Sequence, residues 1–333
     1  TEKYLMQKVV VIPSNGIGNF LLSIPLIEKL SHNYKVDLVL NSINKKLAIN
    51  TIPHLINEIV DLDQSFIKLI YDIKKTKYFS TYYCFPTHTN KYLLSLYLSK
   101  IKHRYGYKLN GKGIRLNFLH PSLTPISHIL NEAVMNLKLY DKTITKTYII
   151  TNRDKYYFKN IPKSDRENRI CVHLGAGSQG SLGELKLWPI DRWNQLLKLL
   201  NDIEIIDEIS VLIGPSEKHA LDKIIDLPKI NFIQTDLVNL VDFLAHSIAF
   251  VGNDNGVAHL AAFCAIPVYT LFGPSNQYKN HPLFNEHNII TSNIHCSPCQ
   301  KLIGETYCTN EKYKDCMSLI SPSYVYNRIL KEL

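Results

Sequence analysis

The chain is patterned as short apolar runs rich in β-branched residues, each followed by a polar or glycine-bearing turn and then by a stretch with helical spacing. Residues 8–12, KVVVI, are the first such run, continuous enough to be buried on both faces of a parallel sheet. SNGIGN follows as a loop, and residues 20–30 have helical periodicity, with Pro25 expected to kink the helix. VDLVLN (36–41), EIVDLD (58–63) and YFSTYYCF (78–85) predict further strands, separated by stretches of helical character. Residues 91–102 predict an amphipathic helix with Tyr92, Leu93, Leu96, Tyr97 and Ile101 on one side; its tail, KIKHRYGYKLNGKGIR, is strongly basic. Residues 130–140 predict the last helix of this half.

A polar, proline-containing connection, TNRDKYYFKNIPKSDRENR (151–169), then places a domain boundary, giving domains 1–160 and 161–333. The rhythm restarts with ICVHLG (170–175), a glycine-rich loop, a helix over 191–201, ISVLIG (209–214), a helix over 216–225, NFIQ (231–234), a helix over 236–246 and a strand ending at Val251. This alternation predicts an α/β protein with two doubly wound, Rossmann-like parallel-sheet domains and ligands at the carboxyl ends of the strands.

Length and composition agree: 333 residues suit two domains, and 45% hydrophobic content is ample for two cores. No run of about 18 apolar residues occurs, and the N-terminus lacks a basic-then-apolar signal pattern, so a soluble, cytoplasmic protein is expected. The formal charge of +9 suits nucleic acid, an anionic membrane or phosphorylated substrates alike. Nucleic acid is the weakest of these, because the basic residues form no aromatic-interleaved module.

Three loops after strands carry candidate chemistry. NGIGNF holds Gly16 and Gly18 but has Leu21 where a third dinucleotide-binding glycine would stand, and Asp37 begins rather than ends the next strand. It reads better as a close-approach turn for a sugar or acceptor. GAGSQGSLGELKLWP (175–189) offers Gly175, Ser178 and Lys186, the last a mobile point charge suited to a diphosphate or else a solvated surface lysine. In VGNDNGVAHLAAFCAIPVYTLFGP (251–274), the turn Asp254-Asn255-Gly256 opens a small-residue helix. Backbone N–H groups of Asn255, Gly256, Val257 and Ala258 would face a phosphate, Asp254 sugar hydroxyls, and His259 a phosphate oxygen. The plainer alternative makes Asp254 an N-cap and His259 a satisfied, half-buried side chain.

Seven cysteines without a signal peptide argue against a disulfide framework. Four of them, Cys296, Cys299, Cys308 and Cys316, are spaced to wrap one tetrahedral zinc or iron ion in a structural role; unligated thiols are the alternative.

Together these segments resemble family 9 glycosyltransferases, the bacterial heptosyltransferases. The resemblance rests on GIGNFLLSIPLIEKL (16–30), GAG with KLWPIDRW (175–193), IGPSE (213–217), GNDNGVAHLAAFCAIPVYTLFGPS (252–275) and CSPC with CM (296–317), which span nearly the whole chain in family order. It implies a GT-B fold whose two domains face a central cleft, with acceptor on the first, nucleotide-sugar on the second, and inverting transfer needing no catalytic cofactor or metal. It further implies ADP-heptose as donor and, as acceptor, a saccharide or lipid-linked glycan such as lipopolysaccharide core, O-antigen or capsule, or a protein, with peripheral contact at the inner membrane. Lys186 would contact the diphosphate and Asp254 the donor sugar. The cysteines resemble the metal finger of the branch that modifies autotransporter proteins.

One position departs from the family. Where the first loop of relatives carries an aspartate base, this chain has Asn19, and an amide accepts no proton at neutral pH. Asp63 and His88, each after a predicted strand of the acceptor domain, are the substitute candidates, and Gly16, Gly18, Lys102 and Arg104 are expected on the acceptor side. The alternatives are a catalytically impaired sugar-nucleotide-binding homologue and a nucleotide-sugar epimerase.

Overall fold

The computed structural model describes residues 6–84, 98–108, 122–177, 181–214, 222–301 and 306–333. The chain divides into two compact units, Thr1–Tyr156 and Tyr157–Leu333. Among the described residues no helix is long and apolar enough to cross a membrane.

In the first unit, strands β1 (Lys8–Ile12), β2 (Lys35–Leu40), β3 (Glu58–Asp61), β4 (Ser80–Tyr83), β5 (His103–Lys108) and β6 (Ser122–Pro125) form one sheet in the order β3-β2-β1-β4-β5-β6. Every pairing is parallel. The β-branched run of β1 explains its central place, since Val9, Val10 and Val11 are wholly buried. The expected kinked helix is two helices, Ile17–Leu21 and Ile24–Ser31. Pro25 stands in the first turn of the second, where its missing N–H costs nothing.

The second unit repeats the plan with β7 (Glu167–His173), β8 (Glu208–Leu212), β9 (Ile230–Ile233), β10 (Ser247–Asn253), β11 (Val268–Leu271) and β12 (Ile289–Ile290), ordered β12-β11-β10-β7-β8-β9 and again all parallel. Counted from its own first strand, this is the same order as in the first unit. Its core gathers Ile170, Val172, Phe250 and Val251 from the sheet, with Trp193, Leu196 and Leu200 from the helix Ile190–Asn201. Trp188 meets Trp193 edge-on at 4.8 Å, which seats that helix on the sheet.

Both sheets reverse their winding between their first and fourth strands, at β1/β4 and β7/β10. Connections leave such a point in opposite directions, opening a crevice at the carboxyl edge. Several sequence boundaries shift accordingly. Asn41 is not in β2 but caps the helix Ser42–Thr51, its Oδ1 accepting from the Asn44 N–H at 2.9 Å. Part of the expected basic tail is strand β5. The expected helices over 91–102 and 216–225 lie mostly outside the described residues.

Candidate active site

At the β7/β10 crossing, two asparagines stitch the loops together. Asn253 Nδ2 donates to the Leu174 carbonyl at 2.6 Å, and Asn253 Oδ1 accepts from the Trp188 N–H at 3.3 Å. Asn255 uses its whole amide: Nδ2 donates to the Gly175 carbonyl at 2.7 Å and to His173 Nδ1 at 2.9 Å, while Oδ1 accepts from the N–H groups of Val257 and Ala258 at 2.8 and 3.0 Å. Gly177, at φ +63°, brings its loop so close that a Cβ would lie 3.4 Å from the Asn255 Cβ.

This clasp corrects two expectations. The cap of the helix Gly256–Ala262 is Asn255, not Asp254. The cap also occupies the N–H groups of Val257 and Ala258, so the phosphate cradle expected over 255–258 narrows to Asn255 and Gly256. An asparagine side chain reaches the second and third N–H of a helix more readily than an outside ligand does.

Asp254 is thereby released for other work. Its Oδ2 lies 2.8 Å from Lys186 Nζ, with both side chains buried. Burial alone would raise the Asp254 carboxyl, but the Lys186 ammonium outweighs it and, with the Ser275 hydroxyl, holds it below the ordinary range. Lys186 is therefore no mobile surface charge. It follows the short helix Ser181–Leu185 and is held by the Trp188 anchor two residues on.

His259 lies in the same pocket and is buried. Desolvation pushes its pKa down to about 4, with His281 and Lys186 acting in the same direction against the pull of Asp254. The ring is neutral at neutral pH. It bonds the Asn280 backbone, and Nδ1 has no partner among the described residues. As a bare lone pair Nδ1 suits a hydroxyl donor, whereas the expected role was donation to a phosphate oxygen. Ser275 and His281 escaped the sequence reading, as did the neighbouring buried Lys279. The available signal was position: FGPSNQYKNHP directly follows strand β11, at the same carboxyl edge.

The four cysteines of the C-terminal segment line one small pocket with Leu185 and Pro274. Burial and the neighbouring thiols push Cys299 up and Cys316 up to about 11. Their chemistry fits a thiolate-bound ion, although among the described residues no three His, Cys, Asp or Glu side chains converge closely enough to hold one. The segment is joined to the site's floor. Cys299 and Gln300 donate backbone N–H bonds to the carbonyl of Pro274, next to Ser275, and Ser297 Oγ donates to the Gly273 carbonyl. A Cβ on Gly273 would strike Met317 Sδ at 2.4 Å.

In the first unit the loop after β1 is again at the crossing. Asn19, in the short helix Ile17–Leu21 that follows this loop, is half-buried, and its Nδ2 donates to both carboxylate oxygens of Glu132, at 2.8 and 3.1 Å. Glu132 is wholly buried and was not foreseen. Gly16 caps that helix and Gly18 lies within it, and a Cβ on Gly16 would lie 2.8 Å from Asn19 Oδ1. Of the substitute bases, Asp63 does not join this group. Asp63 Oδ2 accepts from the Ser42 N–H at 2.8 Å, fastening a helix start beside edge strand β3, two strands from the crossing. His88 and Ser178 lie outside the described residues. Lys102 and Arg104 stand at the amino end of β5, and the pairing of Arg104 with Thr81 and of Thr81 with Val10 keeps them from the carboxyl edge. The acceptor role expected of them is not supported, because parallel strands place their amino ends together, opposite the loops.

Two such sheets in one chain define the GT-B-like fold of glycosyltransferases. Residues 98–313 match the model of glycosyltransferase family 9 (heptosyltransferase), and the chain belongs to that family. Lipooligosaccharide heptosyltransferase 2 of Haemophilus influenzae is 24% identical over 214 residues, covering 58% of this chain and 60% of the relative. The solved structure of E. coli ADP-heptose lipopolysaccharide heptosyltransferase II superposes with a TM-score of 0.70 at 20% identity, over 97% of this chain and 98% of that one. The iron-containing dodecameric glycosyltransferase TibC of enterotoxigenic E. coli superposes with a TM-score of 0.60 at 14% identity, over 98% of this chain and 76% of that one.

Proposed function

We propose that the chain is an inverting glycosyltransferase that moves heptose from ADP-heptose to a hydroxyl of a bacterial surface glycan, the lipopolysaccharide core foremost. The observation that carries this reading is the buried Lys186–Asp254 pair at the crossing of the second sheet. A buried ion pair seldom adds stability over an apolar one, and it sits where this fold binds ligands. Lys186 supplies an ammonium for the diphosphate, Asp254 an acceptor for sugar hydroxyls, and His259 Nδ1 an acceptor for a further hydroxyl. The acceptor oxygen attacks the anomeric carbon from the side opposite the diphosphate, a new C–O bond forms, and the bond from that carbon to the phosphate oxygen breaks. Charge grows on the leaving diphosphate in this step, so a fixed ammonium there lowers the barrier. No metal is assigned to the chemistry itself.

We further propose a structural zinc or iron for Cys296, Cys299, Cys308 and Cys316, whose thiols would have to draw closer together to ligate it. Four thiols sharing one pocket and the iron-containing relative support this reading. Mass spectrometry of a truncated core acceptor incubated with the protein and ADP-heptose tests the activity: one added heptose is expected. The amide of Asn19 favours a second reading, a homologue that binds donor without transfer. Tight ADP-heptose binding with no mass gain on any acceptor is its signature.

A further inference from the structure

An attacking hydroxyl must lose its proton, and position 19 meets it with an amide. That amide has one possible orientation. A carboxylate only accepts hydrogen bonds, so Nδ2 faces Glu132, at 2.8 and 3.1 Å from its two oxygens, and Oδ1 is turned the other way. Gly16 leaves Oδ1 uncovered on that side, because any Cβ there would sit 2.8 Å from it. Glu132 opens the helix Glu132–Tyr140, whose positive end favours a carboxylate, and the Asn131 side chain caps that helix through the Ala133 N–H at 3.0 Å. The Glu132 charge reaches the buried thiol of Cys84, just past β4, and the buried phenol of Tyr107 on β5: burial raises both, Glu132 adds to Cys84, and Cys84 and then Glu132 add to Tyr107.

Resting on the transferase reading, we propose that Asn19 and Glu132 act as one proton-accepting unit, with Asn19 touching the acceptor hydroxyl and Glu132 positioned behind it to take the charge. An amide alone keeps no proton at neutral pH, so as the hydroxyl oxygen bonds to the anomeric carbon its proton passes to Asn19 Oδ1 only in exchange for one leaving Nδ2. One Nδ2 proton passes at the same time to a Glu132 oxygen. Asn19 becomes a neutral imidic acid and Glu132 a carboxylic acid, while the diphosphate leaves with the electron pair of the broken bond. The unit resets when Glu132 returns its proton to Nδ2 and Oδ1 releases its own to water. A buried base is thereby used without a carboxylate at position 19 itself.

The test uses three proteins of the full chain, the wild type, Glu132→Gln, and Asn19→Asp with Glu132→Gln, each assayed with ADP-heptose and a truncated lipopolysaccharide-core acceptor. Thermal melting and ADP-heptose affinity are measured alongside. The amide introduced by Glu132→Gln can still hold Asn19 Nδ2 through its carbonyl but can take no proton. The expected result is a fall in kcat of about 100-fold or more, the usual range for losing a general base, with affinity and melting unchanged. The double variant places the carboxylate at position 19 and the amide behind it, and is expected to recover to within about tenfold of wild type, since the same two groups are present in reversed order. A Glu132→Gln protein as active as wild type overturns the relay alone. So does a well-folded double variant as inactive as the single. A wild type that transfers nothing overturns the transferase reading and the relay with it.

Discussion

Lys186 Nζ lies 2.8 Å from Asp254 Oδ2 with both groups sealed from solvent, so neither charge has water to fall back on. Replacing Lys186 by Met leaves a buried carboxylate uncompensated, and urea unfolding is expected to show a loss of about 3–5 kcal/mol. Lys186→Met combined with Asp254→Leu removes both charges and should recover most of that stability. ADP-heptose binding should stay absent in the double variant, because the pair serves the ligand more than the fold. A double variant that binds donor as the wild type does contradicts this assignment.

The His259 ring makes the fold acid-sensitive. Its pKa falls from 6.5 in the unfolded chain to about 4 when folded, so unfolding takes up a proton between those values. Stability is therefore intact above pH 6.5 and declines as the pH drops towards 4, by about 3 kcal/mol in all at 1.36 kcal/mol per unit. Asp254, whose carboxyl is depressed, adds its own loss at still lower pH. Chemical denaturation across this range should show the decline in the wild type and a flatter profile in His259→Asn. Identical slopes would rule out His259 as the cause.

Asn255 satisfies two donors and two acceptors at once, and its two obvious replacements separate those halves. Asn255→Ala loses the cap and the clasp, a cost of about 2 kcal/mol. Asn255→Asp keeps the cap but turns a carboxylate oxygen towards the Gly175 carbonyl, and should be the less stable of the two in thermal melts. The reverse order would mean that the bonds to Gly175 and His173 matter little.

The cysteine pocket is lined by Leu185 and Pro274, which adjoin Lys186 and Ser275 of the proposed donor site in sequence. Purified protein is expected to carry zinc or iron by elemental analysis. Cys299→Ser should lose that metal and weaken ADP-heptose binding several-fold although no cysteine touches the donor. Full donor affinity in metal-depleted protein would uncouple the two.

The two-sheet plan was legible because its central strands are unbroken apolar runs, as in Val9–Val11, and turns with glycine or asparagine follow them. Strand β5 was not, since HRYGYK mixes charged and aromatic residues and owes its strand state to pairing with β4. Lys186 and Asp254 could be picked as functional but not as partners. They are far apart in sequence, and only the crossing of β7 and β10 brings them together. Asn19 was conspicuous as an amide in place of a carboxylate. Glu132, more than a hundred positions away, carries no local signal, whereas Asp63 stands out by following a strand and its carboxylate fastens a helix instead.

The most direct test of the whole account is nucleotide release from ADP-heptose, followed continuously with and without a truncated lipopolysaccharide-core acceptor. Release of ADP that requires the acceptor, and that vanishes in the Lys186→Met, Asp254→Leu protein, is the predicted result. Release at the same rate without acceptor, as an epimerase or a hydrolase would give, or no release from protein that binds the donor tightly, would contradict it.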